Sequence, residues 1–330
     1  MKKLYPLKFK SILKNKIWGG DKIVSCYNKQ SCEDDTIDIN HIGESWEICD
    51  MFDDQTIVSN GFLEGNSLEE ILETYLSDLV GEKVYDYYRN QFPLMVKILD
   101  INNFISVQVH PDDTIAAERY DSYGKKECWY VLEASDDAVL YLGFRKDVTA
   151  SEVYYACKNG TVVDLMNEYH PRKGDYFEIN PGCVHSAGGG LIVYEIQQAS
   201  EITLRLYDWG RENNPNTARR IDIEEALDII DYSAMLEPKA DNDLFSVSII
   251  NIQDDMEISP EDVNSFIIYF CAEGVAKLHY ENEVYFIEKG ECILIPASLD
   301  NFTLKADRPG TILVETHINV PIEEPDSYLN

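Results

Sequence analysis

Three side chains that can bind a metal ion stand close together in the middle of the chain. Gln108 and His110 lie two residues apart in the segment 106–110, and Glu127 follows after a short polar stretch. Because successive side chains of a β-strand point to opposite faces, Ser106, Gln108 and His110 would share one side, while valines fill the other. The segment therefore predicts a strand with one face for a hydrophobic core and one face for an ion.

A fourth candidate ligand, His185, ends a segment that carries a glycine turn, an apolar strand and a Pro-Gly turn at 173–185. The segment 289–296 repeats the order of turn, acidic residue, apolar strand and proline, and Asp300 takes the place of the histidine. We interpret the two segments as copies of an internal repeat whose second copy has lost its ligand. The two halves would then share a β-sandwich architecture, with chemistry only in the first half.

Together these four side chains would give a metal ion two imidazole nitrogens and two oxygen donors. Such a set suits zinc and leaves coordination room for water or a substrate. A single strand histidine is more often a hydrogen-bonded core residue than a ligand, so the prediction depends on the combination. The order of the ligands, Gln-x-His followed by a glutamate and a later histidine, resembles that of cupins.

The charge and composition of the chain limit its partners. It has 330 residues, with 60 acidic and 28 basic side chains and a formal net charge of −32. This balance argues against nucleic acid and anionic membranes, and an anionic substrate would need local positive charge. The eight cysteines form no CxxC pair, the N-terminus lacks the apolar region of a signal peptide, and no apolar run approaches the roughly 20 residues that span a bilayer. We expect a soluble cytoplasmic protein with reduced thiols.

Periodicity and turns predict a mainly β protein of two domains. Short apolar strands separated by turns indicate cupin-like jelly-roll β-sandwiches. Capping boxes that begin at Ser67 and Thr149 mark the starts of helices. We predict a catalytic cupin domain at 1–236 with helical additions at about 68–90, 152–169 and 221–230, and a degenerate cupin-like domain at 237–330.

Four local predictions complete this organisation. The paired glycines of the segment 16–20 predict a turn, and the apolar runs 129–132 and 138–142 around a polar turn predict a hairpin. The polar, acidic residues 27–40 predict an exposed loop, and the polar stretch 237–243 predicts a linker between the domains.

Several motifs share their pattern with one enzyme family. They are Trp18-Gly19-Gly20, Gly43-Glu44-Ser45-Trp46, the segment 106–112, Lys125-Lys126-Glu127, His185 and the block 195–211. With these motifs the chain resembles the type I mannose-6-phosphate isomerases of the short form over nearly all of residues 1–230. The resemblance implies one zinc ion per chain on Gln108, His110, Glu127 and His185. It also implies reversible conversion of mannose 6-phosphate to fructose 6-phosphate, so the expected partner is a small sugar phosphate. The oligomeric state stays open between monomer and dimer.

An aldose–ketose isomerisation needs a base, a group that stabilises an oxyanion and a binding site for the phosphate. The resemblance places Glu195 and Arg205 in the pocket, and strand alternation puts positions ten apart on one face if the strand is continuous. Lys125, Arg205 and Arg211 are our phosphate candidates, since cations bind phosphate oxygens. Glu195, Lys125 and a water on the zinc all stay open as the base. Four further residues are candidates for contact with the substrate: Trp18, Glu44, Lys97 and Ser106.

Two other functions use the same residues. A cupin metalloenzyme of another class, such as a dioxygenase with iron on these ligands, would not need the basic residues. A non-catalytic sugar-phosphate sensor would fit the degenerate second half, but it could tolerate loss of the metal. The presence of all four ligands together with Lys125 and Arg205 favours an enzyme.

Overall fold

The computed structural model describes residues 2–30, 37–238 and 242–319. Part of the predicted acidic loop (31–36), part of the predicted linker (239–241) and the segment 320–330 lie outside the described residues. The chain divides into two compact units, each built from separate stretches of sequence. We call them the larger unit, Ser11–Asp54 with Leu94–Asp241, and the smaller unit, Met1–Lys10 with Gln55–Pro93 and Asn242–Asn330.

These units differ from the predicted division between residues 236 and 237. The stretches Met1–Lys10 and Gln55–Pro93, which carry the helical addition at about 68–90, group with the C-terminal part of the chain. Leu7 exchanges two backbone hydrogen bonds of 2.8 Å with Leu294, and the rings of Phe92 and Phe266 pack at 4.5 Å. These contacts join segments that are far apart in sequence, so a single boundary along the chain cannot separate the two units.

The larger unit is an antiparallel β-sandwich, as predicted. Its six-stranded sheet has the order Tyr176–Ile179, Glu127–Ala134, Leu191–Gln198, Leu94–Ile101, Ile42–Ile48 and Ile12–Gly20. Its five-stranded sheet has the order Met166–Tyr169, Val139–Phe144, His185–Gly188, Val107–Val109 and Leu204–Tyr207. Buried side chains of both sheets, among them Val193 and Leu140, share one hydrophobic cluster, so the two inner faces form the core.

The predicted hairpin in this unit is wrong. Glu127–Ala134 belongs to the six-stranded sheet and Val139–Phe144 to the five-stranded sheet, so the intervening turn carries the chain from one sheet to the other. Val139–Phe144 instead pairs with Met166–Tyr169 and His185–Gly188. Two apolar runs around a polar turn look the same in sequence whether the strands pair directly or face each other across a core.

The glycines of Trp18-Gly19-Gly20 end a strand, Ile12–Gly20, and do not form the predicted turn. A β-carbon on Gly19 would lie 2.4 Å from the backbone nitrogen of Gly43, in the neighbouring strand Ile42–Ile48. The missing side chain therefore permits a close approach of two backbones. This approach fixes the end of the strand that carries Trp18.

Two of the three predicted helical additions, those in the larger unit, contain less helix than predicted. In the larger unit the α-helices are Lys22–Tyr27, Asp113–Tyr120, Ala150–Asn159 and Ile223–Ala226, with 3₁₀ helices at Val162–Leu165 and Arg211–Asn213. Both predicted capping boxes are confirmed, at Ser67 and at Thr149. The addition at 152–169 is only partly helical, because its last four residues pair with Val139–Phe144 as a strand. The addition at 221–230 is reduced to a single helical turn.

The smaller unit is also built from β-sheets. One four-stranded sheet has the order Phe245–Asn251, Ile312–Ile318, Ile267–Glu273 and Cys292–Ile295. A second four-stranded sheet has the order Met256–Ile258, Phe302–Ala306, Val275–Tyr280 and Glu283–Glu288. Its α-helices are Leu68–Tyr75, Ser77–Val80, Glu82–Tyr88 and Pro260–Val263, with a 3₁₀ helix at Gly61–Leu63. Short strand pairs also join Phe9–Lys10 to Ile57–Val58 and Asp50–Met51 to Asp54–Gln55.

Asp300, the counterpart of His185 in the predicted repeat, is a surface residue of the smaller unit and binds Lys3 at 2.6 Å. Among the described residues, no helix is long and apolar enough to cross a membrane. The seven cysteines in the described part of the chain form no disulfide there.

Candidate metal centre and active site

Three of the four predicted ligands meet at one point inside the larger unit. His110, Glu127 and His185 are buried, and one ligand atom from each lies within 4.8 Å of the others. The histidines come from the five-stranded side of the sandwich and the glutamate from the six-stranded side, so the cluster lies between the sheets. Gln108 stands opposite His185 in the antiparallel register, with its Nε2 3.2 Å from His185 Nε2. Strand pairing thus brings residues 77 positions apart into one site.

Backbone carbonyl groups orient both imidazole rings. His110 Nδ1 lies 2.8 Å from the carbonyl oxygen of Ile202, and His185 Nδ1 lies 3.1 Å from that of Cys183. A carbonyl oxygen only accepts hydrogen bonds, so each Nδ1 carries the proton and each Nε2 presents a lone pair. Both Nε2 atoms point towards Glu127, at 3.3 Å and 3.8 Å from its carboxylate oxygens. This is the state in which a histidine binds a metal ion.

The charge states of the cluster also suit a cation. Burial lowers the pKa of His110, and burial together with the neighbouring His110 lowers the pKa of His185 to about 4, so both rings are neutral near pH 7. Burial alone would raise the pKa of Glu127, but Lys125 and His110 outweigh it and lower that pKa. His110 Nε2 and both carboxylate oxygens of Glu127 have no hydrogen-bond partner among the described residues. Buried polar atoms normally have a partner, and a bound metal ion would be the partner of these three atoms.

A cavity of about 270 Å³ adjoins the cluster. Nine residues predicted as site residues line it: Trp18, Glu44, Lys97, Ser106, Gln108, Lys125, Glu127, Glu195 and Arg205. Five polar or aromatic lining residues had not been predicted: Lys16, Trp129, Glu201, Thr203 and Arg219. The sequence held a weak signal for one of them, since Arg219-Arg220 is the one pair of adjacent arginines in the sequence.

Glu195 and Arg205 face this cavity from opposite sheets. Glu195 lies in Leu191–Gln198 of the six-stranded sheet, and Arg205 in Leu204–Tyr207 of the five-stranded sheet. The condition of a continuous strand is therefore not met, although both residues reach the cavity. The chain crosses between the sheets at 199–203, and Glu201 in this crossing binds Lys97 at 2.6 Å.

Alternating charges cover one wall of the cavity. Lys97, which is 2% exposed, lies 3.7 Å from Glu195, besides its contact with Glu201. Burial would lower the pKa of Lys97, but Glu201 and the other carboxylates raise it, so the ammonium stays charged. Glu44 accepts hydrogen bonds from Lys16 at 3.0 Å and from the indole of Trp46 at 2.7 Å. The lysines Lys16 and Lys97 outweigh its burial and lower its pKa to about 2.

Glu195 differs from the other carboxylates of the wall. Burial and the nearby Glu127 raise its pKa to about 7, although Lys97 and Lys125 act in the opposite direction. Trp129 donates its indole N–H to one carboxylate oxygen of Glu195 at 2.9 Å and so fixes its orientation. A carboxylate that exchanges its proton near neutral pH is suited to general acid–base chemistry. Lys125 lies 3.1 Å from Glu127, whose charge outweighs burial and raises the pKa of the ammonium.

The end of the cavity formed by Arg205 and Arg219 is positive. Arg211 lies outside the cavity lining, where its guanidinium binds the buried carboxylate of Asp208 at 2.6 Å, and Arg219 lies on the cavity wall. The same carboxylate accepts two hydrogen bonds from Arg219, through Nε at 3.0 Å and through Nη2. Arg205 donates from Nη1 to the carbonyl oxygen of Arg220 at 2.8 Å.

Comparison with known proteins points to the same enzyme family as the sequence motifs. Residues 6–136 match the family model "Phosphomannose isomerase type I, catalytic domain", and residues 238–314 match "Mannose-6-phosphate isomerase, cupin domain". Over 228 residues the chain is 32% identical to the probable mannose-6-phosphate isomerase GmuF of Bacillus subtilis, which covers 68% of this chain and 68% of the relative. The chain belongs to the type I mannose-6-phosphate isomerase family.

Full-length comparisons extend this assignment. Mannose-6-phosphate isomerase ManA of Bacillus subtilis is 28% identical over 316 residues, which is 91% of this chain and 96% of the relative. The crystal structure of mannose 6-phosphate isomerase from Bacillus subtilis superposes with a TM-score of 0.82 at 25% identity, over 96% of this chain and 100% of that one. The chain is thus an enzyme, a metal-dependent aldose–ketose isomerase with cupin domains, and the dioxygenase and sensor alternatives are not favoured.

Proposed function

We propose that this mannose-6-phosphate isomerase holds one zinc ion per chain on Gln108, His110, Glu127 and His185. The observation that carries the proposal is the orientation of the two imidazoles, which direct unprotonated Nε2 atoms at one buried carboxylate. Two neutral imidazoles and oxygen donors, without thiolates, suit zinc. Bound zinc would act as a Lewis acid that polarises the sugar oxygens during the transfer of a proton.

Gln108 completes the donor set through its amide. Its Oε1 accepts a hydrogen bond from the hydroxyl of Ser106 at 2.9 Å, while its Nε2 faces His185. Rotation of the amide by half a turn would direct the oxygen to the ion. The hydroxyl of Ser106 can serve either arrangement, because it can donate to Oε1 or accept from Nε2.

We assign the proton transfer to Glu195. In the forward direction its carboxylate takes the proton from C2 of the open-chain aldose and returns it to C1, while the C1 oxygen gains a proton and the C2 hydroxyl loses one. Trp129 holds the carboxylate in place, and the pKa near 7 allows both steps. The charged ammonium of Lys125 donates hydrogen bonds to the substrate oxygens on which negative charge develops, which gives it the stabilising role.

The phosphate would occupy the positive end of the cavity. Arg205 and Arg219 present two guanidinium groups there, and a guanidinium suits the oxygens of a phosphate dianion. Arg205 Nε is buried without a hydrogen-bond partner among the described residues, so this N–H is available to a ligand. Trp18, Glu44, Lys97 and Ser106 would contact the sugar, and Arg211 would support the phosphate end from behind through Asp208.

A coupled assay tests the proposal. Chelation should abolish turnover of mannose 6-phosphate, and stoichiometric zinc should restore it. A chelated enzyme that recovers with ferrous iron but not with zinc would contradict the choice of metal. Metal-replete protein that binds mannose 6-phosphate without converting it would contradict the assignment of catalytic roles to Glu195, Lys125 and Arg205.

The cell compartment is a separate part of the proposal. The lack of disulfides among the seven described cysteines and the net charge of −32 support a cytoplasmic enzyme that does not bind nucleic acid. Recovery of the isomerase activity in the membrane or secreted fraction of the cells would contradict this part. Gel filtration at several concentrations would decide between monomer and dimer.

A further inference from the structure

One buried carboxylate holds two arginines behind the positive end of the cavity. Asp208 is 0% exposed and directly follows the strand Leu204–Tyr207 that carries Arg205. It accepts hydrogen bonds from Nε and Nη2 of Arg219 and from Nη2 of Arg211. Burial would raise the pKa of Asp208, but these hydrogen bonds outweigh it and lower that pKa, so the carboxylate is charged. One negative charge thus binds two positive charges.

The two arginines differ in what they face. Arg219 lines the cavity next to Arg205, whereas Arg211 lies outside the lining. Burial, together with the like charge of Arg219, lowers the pKa of Arg205, and both guanidinium-bearing side chains line the same cavity. Without a fixed anion behind it, Arg219 would turn towards water and away from Arg205. Asp208 prevents this movement, because the double hydrogen bond fixes both the position and the plane of the guanidinium.

We propose that Asp208 is a positioning residue for phosphate recognition: it holds Arg219 beside Arg205, so that the two form a preorganised site for the phosphate dianion of the substrate. This inference rests on the proposed function, in which Arg205 and Arg219 bind the phosphate. Holding an arginine in its bound orientation removes the cost of ordering that side chain at the moment of binding. The effect of Asp208 therefore appears in substrate affinity, and the chemical step is unaffected.

The main test is the variant Asp208→Asn in the zinc-loaded enzyme. We expect the KM for mannose 6-phosphate to rise about tenfold, since one well-oriented charged hydrogen bond is at stake. The inhibition constant of inorganic phosphate should rise by a similar factor, while kcat stays within about threefold and the zinc content is unchanged. A merely structural role predicts instead a fall in kcat or in zinc content at an unaltered inhibition constant for phosphate, and that result would overturn the proposal.

A further variant keeps the test decisive if Asp208→Asn does not fold, and a double variant adds a second test if it does fold. Arg219→Lys retains the charge of a half-buried side chain but cannot make the double hydrogen bond to Asp208, so its KM and phosphate inhibition constant should also rise. Values within twofold of those of the unaltered enzyme would contradict the proposal. In an Arg219→Gln background, Asp208→Asn should raise KM no further, because its effect passes through Arg219; a fully additive increase would also contradict it.

A matched control removes a similar interaction elsewhere in the larger unit. Asp228 also accepts a double hydrogen bond from an arginine, Arg119, but neither residue lines the cavity. Asp228→Asn should leave both KM and phosphate inhibition within twofold of the unaltered enzyme. If the unaltered enzyme fails to convert mannose 6-phosphate, the proposed function is wrong. If the unaltered enzyme converts the substrate and the Asp208 and Arg219 variants have the same KM and phosphate inhibition constant as it has, this inference alone is wrong.

Discussion

His110 donates its Nδ1–H to the carbonyl oxygen of Ile202 at 2.8 Å, and this bond decides which nitrogen of the ring can bind a metal ion. Ile202 belongs to the stretch 199–203 in which the chain crosses from the six-stranded to the five-stranded sheet. The crossing therefore serves the site twice, because it orients a ligand and presents Glu201 to Lys97. A backbone carbonyl can perform the first task without any recognisable residue type.

The first prediction concerns this ligand. His110→Ala should lower the bound metal from one ion per chain to a small fraction and reduce turnover by at least about 100-fold, because a bound metal ion supplies several kcal/mol of transition-state stabilisation. Elemental analysis and the coupled assay measure the two effects. His170→Ala is the control, since His170 is largely exposed and lies outside the cluster. Full metal content in His110→Ala would remove His110 from the ligand set.

The metal ligands could be predicted from sequence because they depend on local rules. Alternation along a strand placed Gln108 and His110 on one face, and the structure has both at the site. Their residue types and places beside turns made Glu127 and His185 candidates, and the resemblance to a family implied the same four ligands. The fold class followed from the same alternation, repeated along many short strands.

Other parts of the site depend on contacts that a sequence does not display. Alternation placed Glu195 and Arg205 on one strand face, whereas they reach the cavity from two different sheets. Arg219 was missed because it lies in a loop, where no periodicity applies, and Arg211 was chosen in its place. Both arginines bind the buried Asp208, and it is the fold of this loop that puts Arg219, and not Arg211, in the cavity lining.

The second prediction concerns the acid stability of the metal-free protein. The pKa of His185 is about 4 in the folded state and about 6.5 when unfolded, so between these values the unfolded state binds more protons. The contribution of His185 to stability is therefore fully present above pH 6.5 and is lost as the pH falls towards 4. We expect a loss of up to about 3 kcal/mol over this interval.

Urea unfolding of the chelated protein at a series of pH values measures this loss. His185→Gln, which has no titrating ring, should show a flatter dependence of the free energy of unfolding on pH. An unchanged slope in that variant would assign the acid sensitivity to other groups, such as His110.

The third prediction concerns the base. If Glu195 removes the proton, kcat/KM must rise with pH as its carboxylate ionises, with a midpoint at or below about 7, because bound metal further favours the ionised form. Glu195→Gln should lose at least about 100-fold in kcat, the usual contribution of a positioned base. Rate–pH profiles with saturating zinc measure both. Retention of the acidic limb in Glu195→Gln would point to a different base.

The fourth prediction uses the neighbour of that base. Lys97 lowers the pKa of Glu195, so removing the ammonium in Lys97→Met should move the acidic limb of kcat/KM to higher pH. Lys14 provides the matched control: its ammonium, like that of Lys97, lies over the ring of Trp46, at 4.6 Å against 5.0 Å. Lys14 pairs with Asp54 and lies outside the cavity lining. Lys14→Met should leave the midpoint in place, and an equal shift in both variants would contradict a direct effect of Lys97 on Glu195.

The last prediction concerns the close approach of the strands Ile12–Gly20 and Ile42–Ile48 at Gly19, next to Trp18. Gly19→Ala would place a β-carbon 2.4 Å from the backbone nitrogen of Gly43 and 2.6 Å from the carbonyl carbon of Ile42. Backbone atoms in a sheet cannot yield as a flexible side chain does, so the strands must separate, and we expect a loss of roughly 3 kcal/mol in the free energy of unfolding. Because Trp18 lines the cavity one residue before Gly19, KM for mannose 6-phosphate should rise as well.

Urea unfolding and steady-state kinetics test this pair of effects. Ile17→Ala is the control, since Ile17 is 38% exposed in the same strand and should lose less than about 1 kcal/mol. A Gly19→Ala variant as stable as the unaltered enzyme would show that the strands can separate without cost. A variant that is destabilised but keeps its KM would show that the position of Trp18 does not depend on the close approach of the two strands at Gly19.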